Sequence, residues 1–253
     1  MEIKLDPSKE QHLLVGKEVL ELLGKEINQL VKPEDKIIEI GSGTGILTEK
    51  LINKAKKLLC FEIDKKFERE LSKFKEFSNI KIIYEDCLKY DWRGYNKIIA
   101  SIPYSLSGPV IEKAIWDNIK ELLLIVGEKF KSKLLSRDNK IGIIANLFFR
   151  IKQIQKIEKE NFTPIPSVDS FLIKLERKKK LEKTDRIFGN MLLRNGKIKN
   201  SLIYALVSEG KTKKQAKEII SKFNIFQISL EKKVSRITGK LIERIKNEIE
   251  KLS

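Results

Sequence analysis

The chain has 253 residues, 41% of them hydrophobic, with 52 Lys/Arg against 35 Asp/Glu and a formal net charge of +17. Such a length holds one large domain and a smaller one. No apolar run approaches the roughly 20 residues of a membrane span, the N-terminus lacks the apolar core of a secretory signal, and one histidine with two cysteines argues against a protein-built zinc centre. The excess charge is uneven. Residues 178–253 contain 20 Lys/Arg and 8 Asp/Glu, which points to a polyanionic partner such as nucleic acid, with a solvated lysine-rich surface as the alternative.

In chain order, residues 8–14 precede an amphipathic segment over 15–30, where Leu20, Leu22, Leu23, Ile27 and Leu30 recur near helical spacing. The polar turn Lys32-Pro33-Glu34-Asp35 leads into Lys36-Ile37-Ile38-Glu39-Ile40, a short buried strand. Gly41-Ser42-Gly43-Thr44-Gly45 forces a tight turn, and helix-compatible sequence resumes at Ile46. Strand, glycine turn and helix in that order form the nucleotide-holding corner of a doubly wound α/β sheet. Glycine suits the turn because positive φ is free there and the absent Cβ lets a ligand touch backbone. The spacing differs from the dinucleotide pattern G-x-G-x-x-G, and no Gly-Lys-Ser/Thr follows, which excludes a P-loop. Glu39-x-Gly41-x-Gly43-x-Gly45 resembles the first motif of S-adenosylmethionine (AdoMet) methyltransferases. The expected fold is a Rossmann-like α/β methyltransferase sheet.

A second buried strand, 57–64, ends in acids at Glu62-Ile63-Asp64. Glu62 lies about 20 residues after the glycine turn, where an acid accepts both ribose hydroxyls of an adenosyl ligand. A helix over 65–77 and a third strand, 80–84, close with Glu85-Asp86-Cys87. Asp86 is the candidate for the adenine edge, with Ile63 and Cys87 beside the two acids. Each acid has a second reading as a helix cap. Cys60 and Cys87 read as free core thiols in a reducing compartment.

The fourth strand, 96–100, ends in Ser101-Ile102-Pro103-Tyr104. This stretch resembles the [Asn/Asp/Ser]-x-Pro-[Tyr/Phe/Trp] motif of methyltransferases that act on exocyclic amino groups of bases. The lone pair of such an amine is delocalised into the ring, and two acceptors on its N–H groups hold it toward the methyl group. Proline removes a competing donor, and Tyr104 offers a stacking face. A helix over 106–116 and a buried strand over 121–126 follow, then a basic helix. Residues 141–149 are ambiguous between helix and strand. Strands at 152–157 and 170–175 flank Asn161-Phe162-Thr163-Pro164-Ile165-Pro166-Ser167-Val168-Asp169 as a hairpin-like pair at the sheet edge. Phe162 is a candidate second wall of a base pocket, or a loop residue packed in the core.

The run Arg177-Lys178-Lys179-Lys180 marks the boundary between an expected catalytic domain (1–177) and a basic helical domain (178–253). In the latter, helices are expected over 185–194, 198–207, 213–223 and 230–252.

Taken together, the chain resembles the small-subunit ribosomal RNA adenine dimethyltransferase family (KsgA type) along nearly its whole length. Gln11-His12-Leu13-Leu14 looks like that family's N-terminal Gln-Asn-Phe-Leu motif, which closes over the cofactor. The glycine turn, Glu62 and Asp86 fall where the family binds AdoMet. Ser101-Ile102-Pro103-Tyr104 resembles its Asn-Leu-Pro-Tyr motif, and Phe162-x-Pro164-x-Pro166-x-Val168-Asp169-Ser170 its Phe-x-Pro-x-Pro-x-Val-x-Ser loop. The resemblance implies a cytoplasmic, monomeric, metal-independent enzyme that dimethylates N6 of two adjacent adenines near the 3′ end of small-subunit rRNA, on immature small subunits. Its cofactor contacts would be Gln11, His12, Leu14, Glu39, Gly41, Gly43, Gly45, Glu62, Ile63, Asp86, Cys87 and Ser101. Ser101, Pro103, Tyr104 and Phe162 would surround the target base. Three positions depart from the family: Ser101 and His12 each replace an Asn, and Leu13 replaces a Phe. The alternatives are an erythromycin-resistance-type enzyme acting on large-subunit rRNA, whose loop is similar, and an RNA-binding assembly factor with weak catalysis.

Overall fold

The computed structural model describes residues 4–237 and 239–252. The chain divides into two compact units, Met1–Ser132 with Ile151–Arg177, and Lys133–Arg150 with Lys178–Ser253.

In the first unit, β1 (Leu13–Leu14) precedes α1 (Lys17–Leu30), which buries Val19, Leu23, Ile27 and Leu30 on one face. The helix stops before Pro33, as a residue preceding proline disfavours helical backbone. Then come β2 (Lys36–Ile40), α2 (Ile46–Leu51), β3 (Lys57–Phe61), α3 (Glu68–Ser72) and β4 (Ile80–Ile83). β5 (Lys97–Ser101), α4 (Ser107–Trp116), β6 (Glu121–Gly127) and α5 (Glu128–Leu135) follow. The expected helix over 65–77 is shorter, a 3-10 turn at Lys65–Phe67 followed by α3.

Beyond α6 (Lys140–Phe148), the remaining strands are β7 (Phe149–Ile157), β8 (Phe162–Thr163) and β9 (Ser170–Arg177). The sheet runs β4-β3-β2-β5-β6-β9-β7. Its first five strands are parallel and β9 is antiparallel to β6. Parallel strands covered on both faces read as continuous apolar runs, as in Leu58-Leu59-Cys60-Phe61, all buried. Side chains alternate between faces. Ile37, Leu58, Cys60, Ile99 and Leu123 accordingly share one core with α1 and α2. A second, two-stranded sheet pairs β1 antiparallel with β8, Leu13 opposite Thr163 and Leu14 opposite Phe162.

At the amino end of the sheet, buried Lys97 is 3.0 Å from Asp35 Oδ2 and 2.7 Å from Glu121 Oε2. Each buried charge there has an opposite partner, as burial requires.

In the second unit, α6 resolves the ambiguous segment as a helix, with Asn139 Oδ1 accepting from the Gly142 N–H (3.0 Å). α7 (Lys183–Leu193) packs on it closely, since a Cβ on Gly189 would fall 2.5 Å from Phe148 Cε2. That packing groups residues 133–150 with the helical unit rather than with the sheet, where the sequence had placed them. The shift concentrates charge: the second unit holds 24 Lys/Arg and 9 Asp/Glu, which is +15 of the +17. α8 (Ile198–Ser208) and α9 (Lys213–Ser221) follow, the latter opened by a Thr212–Gln215 capping box. The single helix expected over 230–252 is instead α10 (Gln227–Leu230), a 3-10 turn at Val234–Arg236, and α11 (Gly239–Glu250). Backbone bonds from Ile198 N–H to Lys232 O and from Val234 N–H to Gly196 O tie the interruption to the start of α8.

Candidate active site

β2 and β5 are neighbours whose connections leave in opposite directions, toward β3 and toward β6. In doubly wound sheets a ligand crevice opens at such a switch point, beyond the carboxyl ends of the strands. A cavity of about 570 Å³ lies there.

Its floor is the glycine turn. Gly41 and Gly43 have φ of +75° and +51°. A Cβ on Gly41 would sit 3.0 Å from the Ser101 carbonyl oxygen, and one on Gly43 3.3 Å from Leu13 Cδ2. Glu62 follows β3 and lines the wall. Its Oε2 accepts from the Gly43 N–H (2.8 Å) and its Oε1 from the Asp64 N–H (2.9 Å), so both oxygens are pre-oriented. Burial pushes this carboxyl above its ordinary range, and the two backbone N–H groups act in the other direction. Ile63, 72% exposed, presents an apolar surface to the same space. Across it, Asp86 caps a 3-10 turn through Leu88 N–H (2.9 Å to Oδ1) while lining the cavity beside Cys87, so its two readings coincide.

Residues 10–14 form a strap over the strand ends. Glu10 Oε2 accepts from Ser105 N–H (3.2 Å) and Oγ–H (2.8 Å). Gln11 Nε2 donates to Asp64 Oδ2 (2.9 Å), and Lys66 Nζ meets both Gln11 Oε1 and that carboxylate. His12 Nδ1 is 2.6 Å from the Pro164 carbonyl. A carbonyl only accepts, so Nδ1 carries the proton. Leu13 and Leu14 complete the strap through β1–β8.

Ser101 and Pro103, at the end of β5, border this cavity and also a pocket of about 30 Å³ lined by His12, Ile102, Phe162 and Ser170. That volume accommodates a water molecule or an amino group. Phe162 is buried in the same core cluster as Leu14 and lines one side of the small pocket, so both of its expected placements apply. Tyr104 opens a 3-10 turn, and its side chain lies outside the described residues. No cluster of three or more His, Cys, Asp or Glu residues suited to a metal occurs among the described residues, and no helix there is long and apolar enough to cross a membrane.

The sequence profile of the ribosomal RNA adenine dimethylase family matches residues 4–238. The chain belongs to that family. It is 30% identical over 263 residues to ribosomal RNA small subunit methyltransferase A of Fusobacterium nucleatum, covering 97% of this chain and 98% of that one. It is 33% identical over 171 residues to an rRNA adenine N-6-methyltransferase of Clostridium perfringens, covering 66% and 69%. In fold it is similar to the crystal structure of a dimethyladenosine transferase from Plasmodium falciparum, with a TM-score of 0.63, 23% identity, and 95% and 98% of the two chains covered.

Three residues expected at the cofactor lie off the cavity of this dimethylase. Leu14 is buried in the core under β1. Gly45 (φ +87°) begins α2, and its Cβ would lie 2.3 Å from Phe74 Cε2. Glu39 shares the strand face of Ile37, so its carboxylate points under the turn, where Oε2 accepts from Thr48 Oγ1 (2.7 Å) and Cys60 Sγ (3.1 Å). The geometry adds Glu10 and Asp64, which hold the strap and line the cavity. Asp64 lies two residues beyond Glu62, the one local signal for either.

Proposed function

We propose that this dimethylase transfers two methyl groups from AdoMet to N6 of each of two adjacent adenines in the loop of the 3′-terminal stem of small-subunit rRNA, working as a cytoplasmic monomer on immature small subunits. The observation that carries the reading is that Ser101 and Pro103 border the same cavity as Gly41, Gly43 and Glu62 and, with Ile102, also line the small pocket beside it. The small-subunit target draws support from the name of the Fusobacterium nucleatum relative, which aligns over nearly the full chain.

The residues fit AdoMet. The cradle at Gly41 and Gly43 has no room for side chains. Each Glu62 oxygen keeps a lone pair beyond its backbone bond for a ribose hydroxyl. Ile63 and Asp86 supply an apolar face and a polar edge for adenine. Bound there, AdoMet supplies an electrophilic methyl group on a sulfonium centre.

The chain's part is positioning. Ser101 Oγ and the Ile102 carbonyl are the acceptors for the target amine, because the Pro103 carbonyl already accepts from both Leu106 N–H (3.0 Å) and Ser107 Oγ–H (3.5 Å). Ser101 has a shorter reach than an asparagine, and His12 fills space on the other side of the same pocket. The strap of residues 10–14 excludes water. The amine sheds its proton to solvent after transfer. The second unit, at +15, binds phosphates in a salt-dependent manner.

The test is transfer of labelled methyl groups to immature small subunits and, in a parallel reaction, to large-subunit rRNA, followed by mapping of the modified nucleotides. Dimethyladenosine in the 3′-terminal loop is the expected result. Label confined to large-subunit rRNA would favour the erythromycin-resistance-type activity, and tight binding without label an assembly factor.

A further inference from the structure

The second unit contains a groove of about 590 Å³ between the segment 223–226 and α11. Its floor is built: Phe223 and Ile225 are buried, and Glu248 Oε2 accepts from the Asn224 N–H (3.1 Å). Helical spacing puts Arg244, Asn247 and Glu248 on one face of α11, with Lys251 a turn further on. Glu248 Oε1 takes Lys251 Nζ (2.5 Å), so this acid and this lysine largely neutralise each other. Arg244 has no acidic partner among the described residues, and it lines the groove together with the Asn247 amide. On the opposite lip Phe226 is 74% exposed, the most exposed of the large hydrophobic residues described.

A bare aromatic ring, a planar guanidinium and an amide around a space of this size match the parts of a nucleotide. A base stacks on an aromatic face whatever its identity. Guanidinium holds phosphate through paired N–H bonds. The net positive charge of the unit selects a polyanion over a neutral or basic peptide. A duplex hides its base faces, so the nucleotide must be unpaired. We propose that this groove binds one unstacked nucleotide of the RNA, with the base on Phe226 and the phosphate on Arg244. The proposal rests on the RNA substrate argued above and adds a contact remote in sequence from the methyl-transfer motifs.

The experiment is fluorescence anisotropy of the full chain with a labelled single-stranded RNA at several salt concentrations, using Phe226→Ala and Arg244→Gln. Phe226 is exposed, so its loss leaves the fold intact, which circular dichroism checks. Each variant binds single-stranded RNA roughly 5- to 100-fold more weakly. Arg244→Gln lowers the slope of log affinity against log salt by about one phosphate, whereas Phe226→Ala leaves the slope unchanged. Phe226→Trp restores binding. Wild-type affinity and slope in both alanine and glutamine variants would overturn the groove proposal while leaving the RNA substrate standing. Failure of the wild-type chain to bind any RNA would overturn both.

Discussion

Replacing Glu39 with Gln separates a ligand contact from a structural role. The carboxylate is fully buried beneath the glycine turn, with Oε2 bonded to Thr48 and Cys60 and Oε1 without a partner among the described residues. Burial pushes this carboxyl from an ordinary 4.5 up to about 7. Between those values the folded chain keeps a proton that the unfolded chain has released. Stability therefore falls as pH rises through this window, and the full cost is present above pH 7. The gap, at about 1.36 kcal/mol per pH unit, amounts to roughly 3 kcal/mol. Urea unfolding at pH 4.5 and pH 8 should show the wild type losing roughly that much more stability than Glu39→Gln, whose amide does not titrate. AdoMet affinity, measured by calorimetry, stays within twofold. Equal pH dependence in the two proteins would refute the burial argument, and a tenfold loss of AdoMet affinity would return Glu39 to the ligand.

Glu62→Gln is expected to weaken AdoMet binding by about tenfold or more, because one preset acceptor becomes a donor facing a backbone N–H; unchanged affinity in calorimetry would remove Glu62 from the ribose. Ser101→Ala and, by its place in the motif, Tyr104→Ala lower turnover in single-turnover methylation while AdoMet affinity is kept. Equal losses of both quantities would contradict a role confined to the target base. Gly45→Ala combines a φ of +87° with a Cβ 2.3 Å from Phe74 and lowers stability by roughly 2 kcal/mol or more in thermal denaturation.

The succession of strands along the chain and the segments that line the cavity were legible because they rest on local signals: apolar runs broken by glycines, acids at strand ends, Ser101-Ile102-Pro103 after the fourth strand. Glu39 was legible as part of a motif but not in its direction. Its burial follows from strand alternation with Ile37, which becomes decisive only once Thr48 and Cys60 are known to pack above that face. Residues 133–150 carry no composition break, and their association with the helical unit depends on Gly189, some 40 positions away in the chain, admitting Phe148. Periodicity runs unbroken from Leu230 to Leu252, so the interruption before Gly239 is invisible locally. It is set by backbone pairing to residues 196–198.

The two-residue pairing of β1 with β8 has a thermodynamic consequence. It joins the strap that covers Glu62 to the loop that carries Phe162, and His12 repeats the link through Pro164. Each segment is held in part by the other. A ligand that orders the strap therefore also orders the loop paired to it, and a ligand that orders the loop favours the strap. By linkage the two ligands strengthen each other by the same factor, whichever binds first.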